Sequence, residues 1–371
     1  MTNDEIAAWA KDPRRVDTMP FGLYEPAYQK AITGAALVVR GVLYFRNGFT
    51  PEVRQTLVRC FKQYSAAIEE YQHALEVANG QTQSQSGPLC WFYAEGEEPI
   101  PYDKAPGFEH LAASVPADET LAVAMTNAEH KLATGFYDFT VFALSEKKAA
   151  RRRGLDGLAF TVPRAFVTHR PGVFETLFRA FAEALPTISG HGGLAVNVPP
   201  MGRRPNEASE YFYARRFGPG IDVGDPMRSN VRKLYTKIKT VDWLNALDAE
   251  LVEAAGGASS LALPPDWFGR HPLGDGGLII QAGVAPESGV SNGPGVPVSP
   301  PAAYVLLNHA LRRIVVDTLD TLQDGTLDST APMLNTAVAT EAWLGRFNVP
   351  DDEISHYWFE LRKTPTLPAS P

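Results

Sequence analysis

Few residues in this chain could do covalent chemistry. The first candidate is the serine in Gly289-Val290-Ser291-Asn292-Gly293, a formal G-x-S-x-G. In hydrolases that serine sits on a sharp strand-to-helix turn. Here Pro294 follows and no helical pattern resumes for several residues, so the stretch reads as a Gly-Pro loop. His191-Gly192-Gly193 imitates an oxyanion-hole segment, and His309 and His356 are the later histidines a triad could draw on. A serine hydrolase using Ser291 therefore stays open as an alternative.

Other chemistries find less support. The 8 histidines do not cluster and no H-E-x-x-H occurs, so neither metal nor cofactor is expected. Gly218-Pro219-Gly220 lacks dinucleotide-loop spacing, and its proline removes an amide that a phosphate would need. Cys60 and Cys90 are too few for a disulfide framework or a thiolate zinc site. Both stand among apolar residues and read as small buried hydrophobes. Carboxylates are plentiful, but no pair is singled out by spacing. The residues point to binding rather than catalysis.

Charge narrows the kind of partner. The 371-residue chain carries a net charge of −8, which argues against direct binding to a nucleic-acid backbone. It suits a basic protein partner, since complementary charge steers encounter. The start, Met1-Thr2-Asn3-Asp4-Glu5, is acidic where a signal peptide is basic, and no long apolar run follows. A cytoplasmic location with no membrane segment is expected.

The elements that must position any site read as α+β. The expected fold is a mixed or antiparallel sheet with helices packed on it, possibly as two related βαβ halves. Ala36 to Arg46 is rich in β-branched and aromatic residues and predicts a strand. Thr50-Pro51-Glu52 predicts a capped helix start, and Val53, Leu57, Cys60, Phe61, Tyr64 and Ile68 fall on one face. Gln81 to Ser86 reads as a polar loop, and residues 88–94 and 135–144 as strands. Lys147 to Arg153 is a basic run, read as solvated. Leu158 to His169 predicts a strand and Pro171 opens a helix whose face is Phe174, Leu177, Phe178, Phe181 and Leu185. A returning strand covers 193–198. Tyr211 to Phe217 reads as an aromatic–basic turn, or as a helix with its aromatics inward. Trp243, Leu244, Leu247, Leu251 and Val252 predict a helix stopped by Gly256. Residues 277–282 predict a strand, and helices follow from Pro301 and over 336–347. The expected organisation is a leader over 1–35, one domain over 36–348 and a tail over 349–371, its proline-rich end disordered.

An ordered series of fragments carries a family resemblance. It runs through Val42-Leu43-Tyr44-Phe45-Arg46-Asn47-Gly48, Tyr213 to Val223, Ile238-Lys239-Thr240-Val241-Asp242-Trp243-Leu244, Gly276 to Gly283, Tyr304 to Arg313 and Trp343-Leu344-Gly345-Arg346-Phe347. Over 36–348 the chain resembles the TsiV-like immunity family of type VI secretion systems. The resemblance implies a non-enzymatic immunity protein that binds a cognate secreted toxin and blocks its active site. It implies a cytoplasmic nuclease as the toxin. The toxin-binding residues expected on charge are Glu95, Glu97 and Glu98 in one acidic turn, with Asp222 and Asp225 in a second loop. An effector adaptor or chaperone of the same system is the alternative within this class.

Overall fold

The computed structural model describes residues 16–23, 31–80, 87–290, 298–325 and 333–368. Its centre is one long strand. A short strand β1 (Thr18–Pro20) leads to β2 (Thr33–Phe45), whose 13 residues are buried after the first. Helix α1 (Pro51–Ala78) begins as its sequence predicts: the Val53 amide donates to Thr50 Oγ1 at 3.4 Å, and Pro51 fills the first position. Val53, Leu57, Cys60, Phe61, Tyr64 and Ile68 are all buried. Next come β3 (Trp91–Ala94), β4 (Ile100–Pro101), α2 (Phe108–Ser114), β5 (Leu121–Thr126), β6 (Asp138–Ala143), α3 (Glu146–Ala150) and β7 (Asp156–Pro163). Then α4 (Arg164–His169), α5 (Val173–Ala184), β8 (Thr187–Asn197) and α6 (Glu207–Phe217) follow. The chain continues through β9 (Leu244–Leu247), α7 (Ala249–Ala254), β10 (Phe268–Leu273), β11 (Gly277–Ala282), α8 (Ala302–Leu311), α9 (Ala337–Leu344) and α10 (Ile354–Leu361).

The strands form one 11-stranded sheet in the order β10-β11-β9-β8-β2-β7-β6-β5-β3-β4, with β1 also paired to β2. The pairings between these strands are antiparallel. The expected α+β architecture with an antiparallel sheet is therefore present. Both strand–helix–strand units lie in this single sheet. Strands β7 and β8 run the same way but have β2 between them, and β3 lies beyond β7, β6 and β5 from β2. In neither unit are the two strands direct neighbours.

The two faces of the sheet differ, because side chains alternate along each strand. One face is apolar and bulky. Phe139 and Phe160 stand on it and pack edge-on against Phe61, Tyr64 and Phe181 of α1 and α5. Burial of each such ring stabilises the fold by about 1.5–3 kcal/mol. The other face is polar or small. Cross-strand partners place Arg40, Thr161, Asp138 and Thr126 in one row. Val42, Ala159, Thr140, Ala124 and Tyr93 form the next. Helix α6 and the segment 218–243 cover part of this face.

Some elements differ from the sequence reading. Trp243 to Leu247 is not helical: Leu244–Leu247 is β9, flanked by β8 and β11, and the helix starts at Ala249. A strand covered on both faces loses the alternation that marks strands, so its apolar residues imitate a helical spacing. The strand expected over 158–169 ends at Pro163 and continues as α4. Tyr211 to Phe217 is the second half of α6, with Tyr213 buried and Arg215 over the Tyr211 ring at 5.9 Å. In the tail, α10 packs on α8 through a buried Leu361. Cys60 is buried but Cys90 is exposed. The polar loop 81–86 lies outside the described residues.

Candidate functional site

A cleft opens on the polar face where side chains are small. Strand β5 sends Leu121, Val123 and Met125 toward the helices, leaving Ala122 and Ala124 on the other side. Ala159 and Thr140 stand beside them. These short side chains leave a trough of about 570 Å³, walled by Val198, Pro200, Met201, Arg203 and Met227. Glu95 and Glu97, from the turn after β3, and Asp225, from the opposite wall, also line it. Gly96 at φ +83° makes that turn possible.

The floor carries Asp138, 6% exposed. The Thr140 hydroxyl donates to its Oδ1 at 2.5 Å. Burial pushes its pKa up to about 6, against the lowering effect of that hydrogen bond. Arg203 in the wall donates to Glu210 Oε1 at 3.3 Å, and its Nε stands 4.0 Å from Asp225. Asp225 Oδ1 accepts from the Met227 amide at 2.9 Å.

Beside the cleft, the covering segment is fixed by a buried charge cluster. Residue 222 lies alongside β8, and its amide donates to the Leu194 carbonyl at 2.7 Å. The Asp222 carboxylate accepts from Arg40 Nη2 at 2.8 Å and from Lys239 Nζ at 2.7 Å, and lies 3.2 Å from His191 Nε2. Lys239 also donates to the Val223 carbonyl at 2.6 Å. Burial alone would raise the Asp222 pKa; Lys239, His191 and Arg40 together hold it well below the usual carboxylate range. Burial lowers the pKa of His191, against the pull of Asp222. Arg346 adds a further tie, donating to the Pro219 carbonyl at 2.7 Å and to Thr240 Oγ1 at 2.9 Å while stacking on Trp343.

The structure thus brings Glu95, Glu97 and Asp225 to the mouth of one cleft. Glu98 stands next to them, exposed and 3.7 Å from Lys131. Asp222 is different: at 2% exposed, with both oxygens engaged, it holds the wall from inside and presents nothing to a partner. Spacing alone could not show this, because its cations Arg40 and Lys239 lie far off in sequence. The residues the sequence reading missed are Asp138 and Arg203. The available signal was Leu-Ala-Val-Ala-Met at 121–125, a strand with one small face.

The expected oxyanion-hole segment does not form one. His191-Gly192-Gly193 lies within β8, where Gly192 and Gly193 pair with Gly41 and Arg40 of β2, so this is a sheet ladder and not an oxyanion hole. Ser291 lies outside the described residues. Among the described residues no three metal-ligating side chains converge, and no helix is long and apolar enough to cross a membrane.

Comparison with known proteins decides the family. TsiV, described as type VI immunity for VRR-NUC, matches residues 56–347. The chain belongs to the TsiV family. The matched region of this TsiV chain begins inside α1 and runs to Phe347, taking in the cleft residues from Glu95 to Met227. A solved structure, the Pseudomonas aeruginosa T6SS protein PA0821, is similar over 100% of this chain and 98% of its own, with 29% identity and a TM-score of 0.85. The likeness therefore extends to β2 and α10, beyond the family match. No curated protein matches the chain.

Proposed function

We propose that this TsiV chain binds a cognate type VI toxin carrying a nuclease and neutralises it by covering the nuclease active site. The observation that carries the reading is the acidic mouth of the cleft. Glu95, Glu97 and Glu98 are exposed on one turn, and Asp225 faces the cleft from the other wall. A nuclease groove is basic because it must hold phosphates, and a carboxylate rim is its electrostatic complement. The protein's role is binding without catalysis, in the cytoplasm, with no cofactor. Asp222, with Arg40 and Lys239, fixes the wall that carries Asp225.

Titrating the purified toxin with this protein in a DNA-degradation assay tests the reading. Nuclease activity is expected to fall to background near one equivalent. A tight complex with undiminished DNA cleavage would instead identify an adaptor or chaperone.

A further inference from the structure

The cleft floor holds a carboxylate with no cation in contact with it; Arg40 and Arg203 act on Asp138 only from beyond ion-pair distance. Among the described residues, no Arg, Lys or His nitrogen comes within the 4.0 Å ion-pair distance of Asp138. The two arginines of the same cleft are committed elsewhere, Arg40 to Asp222 at 2.8 Å and Arg203 to Glu210 at 3.3 Å. The Thr140 hydroxyl donates to Asp138 and Asn197 helps to lower its pKa, but neither brings positive charge. Arg40, 3% exposed, is held from within: its Nη2 donates to Asp222 at 2.8 Å, and its Nε is closed off from the cleft. Arg40 and Asp138 sit in one cross-strand row with Thr161 between them, about 10 Å apart at the backbone.

The floor therefore has a place for one cation, in contact with Asp138. A basic residue on an inserted loop supplies that cation from its side chain. The walls suit the rest of such a residue. Met201, Met227 and Pro226 offer an apolar surface for an aliphatic stem, and the methionines can adapt to its shape. Glu95, Glu97 and Asp225 at the mouth attract positive charge. Four carboxylates line the cleft against two guanidinium groups, and one of those, Arg40, is already matched by Asp222.

We propose that the cleft is a socket for a loop of the toxin that carries one lysine or arginine, inserted against Asp138. This rests on the immunity reading above and adds which surface meets the toxin and what chemistry it recognises.

The test is the affinity of the full chain for its toxin, measured with wild type and Asp138→Asn. The substitution keeps the side-chain shape and an oxygen for Thr140, and removes the charge. Losing one partner of a buried charge pair weakens a complex by about 30-fold or more. A loss of that size, with a melting temperature no lower than wild type at pH 7, is expected. Should Asp138→Asn misfold, Ala124→Met narrows the trough without touching a charge, and the same loss is expected of it. Wild-type binding and inhibition with the variant's affinity unchanged would overturn the socket and leave the immunity reading standing. If the wild type does not bind the toxin, the immunity reading falls for that toxin. The socket is then decided by NMR titration with N-acetyl-lysine amide and N-acetyl-arginine amide. Shifts at the Ala124 and Thr140 amides that norleucine amide does not cause, and that Asp138→Asn abolishes, support it; their absence overturns it.

Discussion

Asp222→Asn tests how the covering segment is held. The substitution preserves size but removes the one negative charge directly paired with Arg40 and Lys239, whose side chains are 3% and 1% exposed. It also points an amide at cationic donors if the new side chain keeps its oxygen toward only one of them. Leaving buried charge unpaired costs about 3–5 kcal/mol. Unfolding entropy near 2.1 cal/mol/K per residue gives about 0.8 kcal/mol/K for 371 residues, so the melting temperature should fall by about 4–6 °C. The native pKa of Asp222 lies well below the ordinary carboxylate value of 3.8, so its contribution is fully present above that value. It is lost only as pH falls through the depressed native pKa. The melts therefore belong at pH 7, followed by circular dichroism. Adding Lys239→Met removes one orphaned cation and should recover part of the loss. A single variant that melts within 1 °C of wild type would refute the view that this cluster anchors the segment.

Three further outcomes are expected. Asp138→Asn should stabilise the free protein at pH 7 by up to about 3 kcal/mol. Burial raises the native pKa to about 6 from the ordinary 3.8, so stability falls as pH rises through that window and an amide avoids the loss; a melting curve unchanged between pH 4 and 7, in wild type and variant alike, would contradict it. Gly193→Ala places a Cβ 1.9 Å from Asp242 Oδ1 and should cost about 1–3 kcal/mol, read by chemical denaturation. Association with the toxin should slow by about tenfold or more between 50 mM and 500 mM salt in stopped-flow measurements, because the Debye length shrinks below about 10 Å; a flat rate would remove the acidic rim from the account.

The sequence made the local elements legible where one residue pattern had one explanation. Thr50-Pro51 and the apolar face from Val53 to Ile68 define α1 without help from the rest of the fold. The same holds for Phe174 to Phe181 in α5 and for Tyr304, Leu307 and Leu311 in α8. Strand β10 was not legible, since Gly269 and Pro272 read as breakers; at the sheet edge a proline is tolerated. The acidic rim could be named from charge, but the cleft behind it could not. It exists because Ala122, Ala124, Thr140 and Ala159 meet across three strands, and only the pairing register brings them together. Asp222 misled for the same reason: a lone aspartate in a Gly-Pro-rich loop resembles a solvated residue until Arg40 and Lys239 are placed beside it.

The central claim is neutralisation of a nuclease toxin. The most direct measurement is co-expression of this protein with a type VI toxin carrying a VRR-NUC nuclease from the same strain, followed by pull-down and a DNA-degradation assay on the recovered complex. The expected result is a complex that survives washing and leaves DNA intact, with cleavage returning when the toxin is freed. Failure to recover any complex, or a stable complex that still degrades DNA, would contradict the account.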